Sequence, residues 1–505
     1  MLGVPLLALV ALLLCAHACA AAAPSKESTS SPRRGDAVAG VAVRRSVRDS
    51  GGDEGDGRGD DNVDDHGSTQ YPPGGADRGF PSYEEAEGYM KLKCKNYEVT
   101  YEQIEHDLAI HRQLGTHYNS TRYAIKWLHR RNGMPIGFFG GRAYLLMKPD
   151  WKNLAHHAKL HVAYMRMMVH LEETFGRAIP DVVLVVSSAD IPRYVSPRLV
   201  NVSSPEPQLP PTRDSGSGSK TLAGFVPGPY PVAGICKSDF WPDMLLIPNF
   251  HFHMKLYDSV SLAPIHEFRK KHPWATREPV LFGRFSHYNL MREAGDASTY
   301  KLGQKGRMCV HAGEDICTNG NATCMGREHF VTRVAKQDSE RLDVKFAGMQ
   351  PMAGHARFKY LINLNGQSIS SRLEQLLPLG SLVFTEASGY YAYYYRTLLK
   401  HRVNVLEFWR RWPEEVFEEL DWAQAHDEEA EAVAAEGART AATFLTGAGR
   451  TCYWFRLLHG LAHTLRFEPR LVKWPGAKLV REVLEQGLQH APGGQDLAAA
   501  SSWAP

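Results

Sequence analysis

After its first two dozen residues this 505-residue chain has no apolar run long enough to cross a bilayer as a helix, which leaves no second helical span. It has no CxxC pair, so a structural zinc site is not expected. It also lacks a long basic stripe, and its net charge is only +3 with 22% charged residues, so nothing calls for a nucleic-acid backbone as partner. Internal repeats are absent, which removes solenoids and propellers. No DxD-like motif occupies a strand–loop position. His251-Phe252-His253, read as a step on a strand, has no acidic or cysteine ligand beside it, so no metal is expected there. The final residues, SSWAP, carry no KDEL-type retrieval signal.

What is present begins with the stretch Leu2–Ala23, which has no formal charge apart from His17 and ends in small residues. It reads as a secretory leader, and its length leaves both a cleaved signal peptide and a retained anchor open. Three sequons, at Asn119, Asn201 and Asn321, agree with a lumenal location. Of eight cysteines, Cys15 and Cys19 lie in the leader; the other six are an even number that can pair in an oxidising compartment. Residues 24–80 are rich in Ser, Gly, Asp and Arg with almost no aromatics, the composition of a disordered stem. The RGD at Arg58–Asp60 is what such a composition yields by chance.

Beyond the stem, Tyr83–Leu114 shows helical spacing of apolar residues. A strand pair is expected around AIKWLHRRNG and RAYLLMK, then one long helix closed by Gly176. The run VVLVVSS, bounded by Pro180 and Pro192, is the pattern of a buried parallel strand. A Pro/Ser/Gly-rich loop covers residues 199–230. The segments EPVLFG, DVKFAG, FKYLINLNG and GSLVFTE then alternate with helical or loop stretches, which implies βαβ units and a second parallel sheet. Residues 301–332 read as a stapled Cys/Gly/Asn-rich insertion. Pro413–Leu465 reads as helical, with a weakly structured tail after it. The fold expected is α/β, with two Rossmann-like domains facing a cleft. The expected organisation is leader 1–23, stem 24–80, first Rossmann-like, acceptor-side domain 81–255, second, nucleotide-sugar domain 256–412, C-terminal helices 413–470 crossing back to the first domain, and tail 471–505.

Two places carry chemistry. Asp190 directly follows VVLVVSS, and ligands of open α/β sheets bind at the carboxyl ends of strands. A carboxylate there can act as a general base, or it can simply bond its own turn before Ile191-Pro192. In FKYLINLNGQSISSRLEQLLPLG a strand ends at Gly366 and a Ser-rich turn leads into a helix opened by Ser371-Arg372. A helix N-terminus with a guanidinium beside it suits a diphosphate. The same serines can instead cap the helix and leave Arg372 solvated.

HARFKYLINLNGQSISSRLEQLLPLGSLVF resembles the signature of the Rumi-like, capsule-associated family, glycosyltransferase family 90. KCKNYEVTYEQIEHDL, LGTHY, VVLVVSSADIP, GICKSDFWPDMLLIPNFHF and TCYWFRLL resemble further segments of that family, in the same order, from about residue 90 to 465. The resemblance implies a GT-B-like fold and an inverting, metal-independent transfer of glucose or xylose. UDP-glucose or UDP-xylose would be the donor substrate, with no separate cofactor. The acceptor would be a hydroxyl of a protein or glycan, reached in the endoplasmic reticulum or Golgi lumen. It makes Asp190 the base and places Gly366, Gln367, Ser368, Ile369, Ser370, Ser371 and Arg372 in the nucleotide-sugar site. It also pairs Cys94 with Cys452. The family's Phe-Arg-Gly-Ser-Arg-Thr segment reads FGRFSHYNLMR here, which assigns Arg284, Ser286 and Arg292 to the donor in an unsettled register. Ala189 replaces an arginine common before the catalytic Asp. Leu379 replaces a cysteine common before GSLVF. Cys236 is expected to pair with Cys309, Cys317 or Cys324. A competing reading is a non-catalytic lumenal binder on the same fold.

Overall fold

The structure is a computed structural model that describes residues 82–128, 132–148, 151, 157–190, 228–239, 241–254, 256–288, 290–293, 300–302 and 323–487. Asn201, Asn321, Cys309, Cys317, the leader, the stem and the Pro-rich loop lie outside them. Gln70–Pro505 belong to one compact unit, and two α/β sheets dominate it.

The first sheet contains β1 (Gly133–Phe139), β2 (Arg142–Leu145), β3 (Val182–Ser187), β4 (Val232–Gly234), β6 (Met244–Leu246) and β16 (Lys478–Leu479), in the order β16-β2-β1-β3-β4-β6. β3, β4 and β6 run parallel, while β2 and β16 extend the other edge antiparallel. All of Val182–Val186 is buried because the sheet is covered on both faces. Each such side chain contributes roughly 1.5–3 kcal/mol on burial. The helix His157–Phe175 covers one face, burying Leu160, Tyr164, Met167, Met168 and Leu171 at helical spacing.

The second sheet is wholly parallel. It comprises β7 (Glu278–Arg284), β11 (Leu342–Lys345), β12 (Phe358–Asn363), β13 (Leu382–Glu386) and β15 (Leu406–Phe408), in the order β11-β7-β12-β13-β15. The chain enters at β7, steps to one side for β11, then crosses back over β7 to β12. The order therefore reverses between β7 and β12, and this reversal opens a crevice at their carboxyl ends. A small antiparallel sheet, β8 (Leu290–Glu293), β9 (Tyr300–Leu302) and β10 (Thr323–Met325), lies between β7 and β11 in the chain.

Residues that follow strands of both sheets line a common cleft, and the short pair β5 (Cys236–Lys237) and β14 (Tyr391–Ala392) is antiparallel. Helices Glu415–Ala425 and Asp427–Phe444 follow the second sheet. The helix Gly447–Ala462 then crosses back onto the first half. There Gly460 sits against Leu108, and the Cys94–Cys452 disulfide holds the helix to the start of the fold. Arg450, fully buried on this helix, bonds Asp258 at 2.5 Å and lies over the Phe252 ring at 4.8 Å. Beside it Asp107 and Lys237 form a completely buried pair at 2.6 Å, with Asp107 also accepting from the Leu246 backbone N–H. One apolar cluster runs unbroken from Val182 through Phe252 and Tyr393 to Leu361.

Four local expectations fail. Ala124–Leu128 is the end of a helix, Tyr118–Leu128, because Thr121, Ala124 and Ile125 are buried at i, i+3, i+4; the strand is instead Gly-Met-Pro-Ile-Gly-Phe-Phe. His251–Met254 is one helical turn rather than a strand. Residues 326–334 are helical, with Phe330, Val331 and Val334 buried, not part of a loop. The segment after residue 470 is structured as far as Gly487: β16 pairs with β2, and Trp474 and Val480 are buried.

Candidate functional site

A cavity of about 190 Å³ opens in the cleft, lined by residues that follow strand carboxyl ends in both sheets. From the first sheet come Asp190 after β3, Ile235 after β4, and Phe250 and His251 after β6. From the second come Ser286 and Tyr288 after β7, Met349 after β11, and Gly366, Gln367, Ile369, Ser370, Ser371 and Arg372 after β12. Asp190 is exposed on one wall. The turn at 366–372 is the opposite wall, closed by a Gly366 N–H to Ile369 carbonyl bond of 3.1 Å. Any side chain at Gly366 would press within 3.3 Å of the Ile369 carbonyl oxygen.

The charge of this wall comes from two guanidinium groups. Arg372 donates to Nε2 of His355 at 3.3 Å, and its Cζ lies 4.9 Å from the centre of the Phe285 ring. Arg327, on the turn Gly326–His329, also lies 4.9 Å from Phe285, and 4.9 Å from Tyr288. Its fork donates to the carbonyls of Ser286 at 2.9 Å and Leu364 at 2.6 Å. Neither arginine forms an ion pair among the described residues. Burial lowers both to about 10; for Arg327, Arg372 adds to this and Glu386 opposes it. Both remain cations at neutral pH, so the wall holds positive charge, not ion-paired among the described residues, that suits an anion. His355 is pushed down to about 4 by burial, and Arg372 and Arg284 lower it further. The neutral ring donates from Nδ1 to the Pro351 carbonyl at 3.2 Å, which leaves Nε2 to accept from Arg372.

Several sequence expectations are redirected. Arg284 does not line the cavity: it pairs with Asp343 at 2.6 Å and donates to the Asp343 carbonyl, tying β7 to β11. Arg292 lies on β8 opposite Cys324. Ser368 is buried and not among the cavity lining, its hydroxyl donating to the Asp190 carbonyl. Cys236 is a free buried thiol rather than half of a disulfide; it donates to the same carbonyl at 3.3 Å and lies 2.9 Å from Ser368 Oγ. Leu373–Leu376 is a helix of four residues, stopped by the following Pro378, so Arg372 supplies the charge rather than a helix dipole. Arg327, Tyr288 and His355 were not foreseen. For Arg327 the available signal was GREHFVTRV, an arginine one residue into an apolar helical pattern. The Cys94–Cys452 disulfide is present. Asn119 is exposed on its helix, while the Thr121 of its sequon is buried.

Residues 314–489 match the model of glycosyl transferase family 90. The stretch includes Arg327, the turn 366–372 and the helix bearing Cys452. Among curated proteins, a zebrafish (Danio rerio) protein O-glucosyltransferase 2 is 34% identical over 115 residues, 23% of each chain. A mouse (Mus musculus) protein O-glucosyltransferase 3 is 32% identical over 117 residues, 23% of this chain and 22% of its own. An Anopheles gambiae O-glucosyltransferase rumi homolog is 28% identical over 196 residues, 38% of this chain and 44% of its own. These matches thus span less than half the length of each relative. The solved structure of Anabaena HepE in complex with UDP aligns over 42% of this chain and 52% of its own, at 12% identity and a TM-score of 0.22. The resemblance to family 90 read from the sequence is upheld.

Proposed function

We propose that this chain is an inverting glycosyltransferase that moves glucose or xylose from UDP to a hydroxyl of a protein or glycan acceptor in the secretory pathway. One observation carries this reading. A single cavity at the strand-order reversal has a carboxylate, Asp190, on one wall and two carboxylate-free guanidinium groups, Arg327 and Arg372, on the other. The match to family 90 and the relatives' names support the reaction class. The leader, the sequons and the disulfide support the compartment.

In this scheme the Asp190 carboxylate takes the proton of the acceptor hydroxyl as its oxygen attacks the anomeric carbon. The bond from that carbon to the β-phosphate oxygen breaks on the opposite face, which inverts the centre and releases UDP. Arg372, oriented by the neutral His355 ring, and Arg327 stabilise the charge that grows on the diphosphate. Arg327 is buried, Arg372 is half-buried, and both are held by hydrogen bonds, so little reorganisation accompanies the reaction. A fixed guanidinium pair can fill the role that a divalent cation plays on other diphosphates, so we propose a transfer without metal.

Hydrolysis of UDP-glucose and UDP-xylose by the purified protein in EDTA tests this reading. Slow, EDTA-insensitive release of one sugar, lost in Arg372→Ala and Asp190→Asn, is the expected result. No UDP binding and no hydrolysis of either donor would overturn it.

A further inference from the structure

Ser368 sits in the middle of the turn 366–372, between residues that line the cavity, yet it is itself only 1% exposed and not among the lining. Its hydroxyl reaches the backbone carbonyl of Asp190, at the other wall. Cys236, at the start of β5, is fully buried and adds a second donor to that carbonyl. Its sulfur also lies 2.9 Å from Ser368 Oγ. Three segments therefore meet at one oxygen: the stretch after β3, the start of β5, and the turn carrying the guanidinium wall.

A carbonyl oxygen has two acceptor sites, and here both are used by side chains from outside its own strand. The rest of β3 is held by ladder bonds to β1 and β4, but Asp190 lies three residues past its end. The bond from Ser368 ties the Asp190 backbone to the opposite wall, and the bond from Cys236 ties it to β5.

Building on the function proposed above, we propose that Ser368 and Cys236 are positioning residues. They hold the Asp190 carbonyl so that seating a nucleotide diphosphate on the turn 366–372 also sets where the Asp190 carboxylate stands. The thiol acts as a hydrogen-bond donor and not as a nucleophile. Burial raises it to about 12, opposed by its contact with Ser368, so it stays protonated and keeps its hydrogen. Because the turn reaches Asp190 through Ser368, donor and base are aligned by one connection rather than by two independent walls.

Two measurements on the whole protein separate this role from mere packing. UDP affinity is measured by calorimetry, and kcat and KM for UDP-glucose or UDP-xylose hydrolysis are measured for Ser368→Ala, Cys236→Ala and Cys236→Ser. The expected pattern is a kcat lowered roughly tenfold to a hundredfold in both alanine variants, the loss typical of a slightly misplaced group. UDP affinity and KM should shift less than about threefold by comparison. Cys236→Ser, which keeps a donor, recovers most of the rate lost in Cys236→Ala. Alkylation of Cys236 by N-ethylmaleimide, slow in the wild type, should be faster in Ser368→Ala and slowed in the wild type by UDP. Unchanged kcat in both alanine variants, or equal losses of kcat and UDP affinity with no recovery in Cys236→Ser, would overturn the clamp. A wild-type protein that binds no UDP would instead overturn the underlying function, a result distinct from either pattern.

Discussion

The cleft and the region behind it both bury cations, and they compensate them in opposite ways. Behind the cleft, Lys237 is matched to Asp107 and Arg450 to Asp258, each carboxylate also accepting a backbone N–H. At the cleft, among the described residues, Arg327 and Arg372 hydrogen-bond to carbonyls and a neutral imidazole and lie over aromatic faces, with Glu386 near Arg327 but not ion-paired to it. A buried charge without a counter-ion is costly to the fold; a buried pair roughly offsets its own desolvation, and removing one partner then exposes the full cost of the other. The back of the molecule is thus closed electrostatically. The cleft leaves room for an anion supplied from outside, and this difference is the physical content of the functional reading.

Breaking the paired side should give the largest effect. Asp107→Ala leaves Lys237 buried alone and should cost about 3–5 kcal/mol of stability, read as a fall in the denaturation midpoint. Replacing Cys94 and Cys452 together by alanine should cost about 2–4 kcal/mol, on the same measurement. On the cleft side the signature reverses. Arg372→Ala should weaken UDP binding by roughly a hundredfold while leaving the melting temperature unchanged or slightly higher, because an uncompensated charge has gone. A destabilised variant with unaltered UDP affinity would erase the comparison.

Acid should strain both regions. Burial is the first cause that lowers His111, His161, His355 and His459 to about 4 in the folded protein, below their ordinary 6.5. A histidine whose folded value is depressed lends stability above its unfolded value, and that stability is lost as pH falls. The melting temperature should therefore drop steadily from about pH 6.5 to about pH 4. Burial alone would raise the Asp107 carboxyl, but Lys237 and the hydrogen bonds it accepts hold it below its ordinary value. Its contribution should disappear at still lower pH. The smallest expected change is Thr446→Ala, which removes the cap on the Gly449 N–H of the crossing helix and should cost about 1 kcal/mol.

The parts of the fold that were legible in the sequence are those whose side chains all face one environment. Val182–Val186 and Phe358–Asn363 are buried on both faces, so an unbroken apolar run identifies them. β1 is hard to read from the sequence because Gly133, Pro135 and Gly137 are residues that strands disfavour. Its place between β2 and β3 comes from the sheet it joins, not from its own preference. β16 is two residues long and exists through pairing with β2, a contact made 333 residues away from Leu145 in the case of Lys478. The site was legible where chemistry follows directly after a strand, as at Asp190 and Gly366–Arg372. It was not legible at Arg327 or Cys236. What marks those residues is the lack of a counter-ion and a hydrogen bond across the cleft, both of which are properties of space rather than of neighbours in the chain.

The bond between Cys94 and Cys452 spans 358 positions, so most of the ordered polypeptide is a covalent loop. Any single proteolytic cut between these two cysteines leaves a molecule of undiminished mass on a non-reducing gel. It separates into two fragments only when a reductant opens the loop. A preparation can therefore be clipped and still run as one species, and the two gels together would locate the clip.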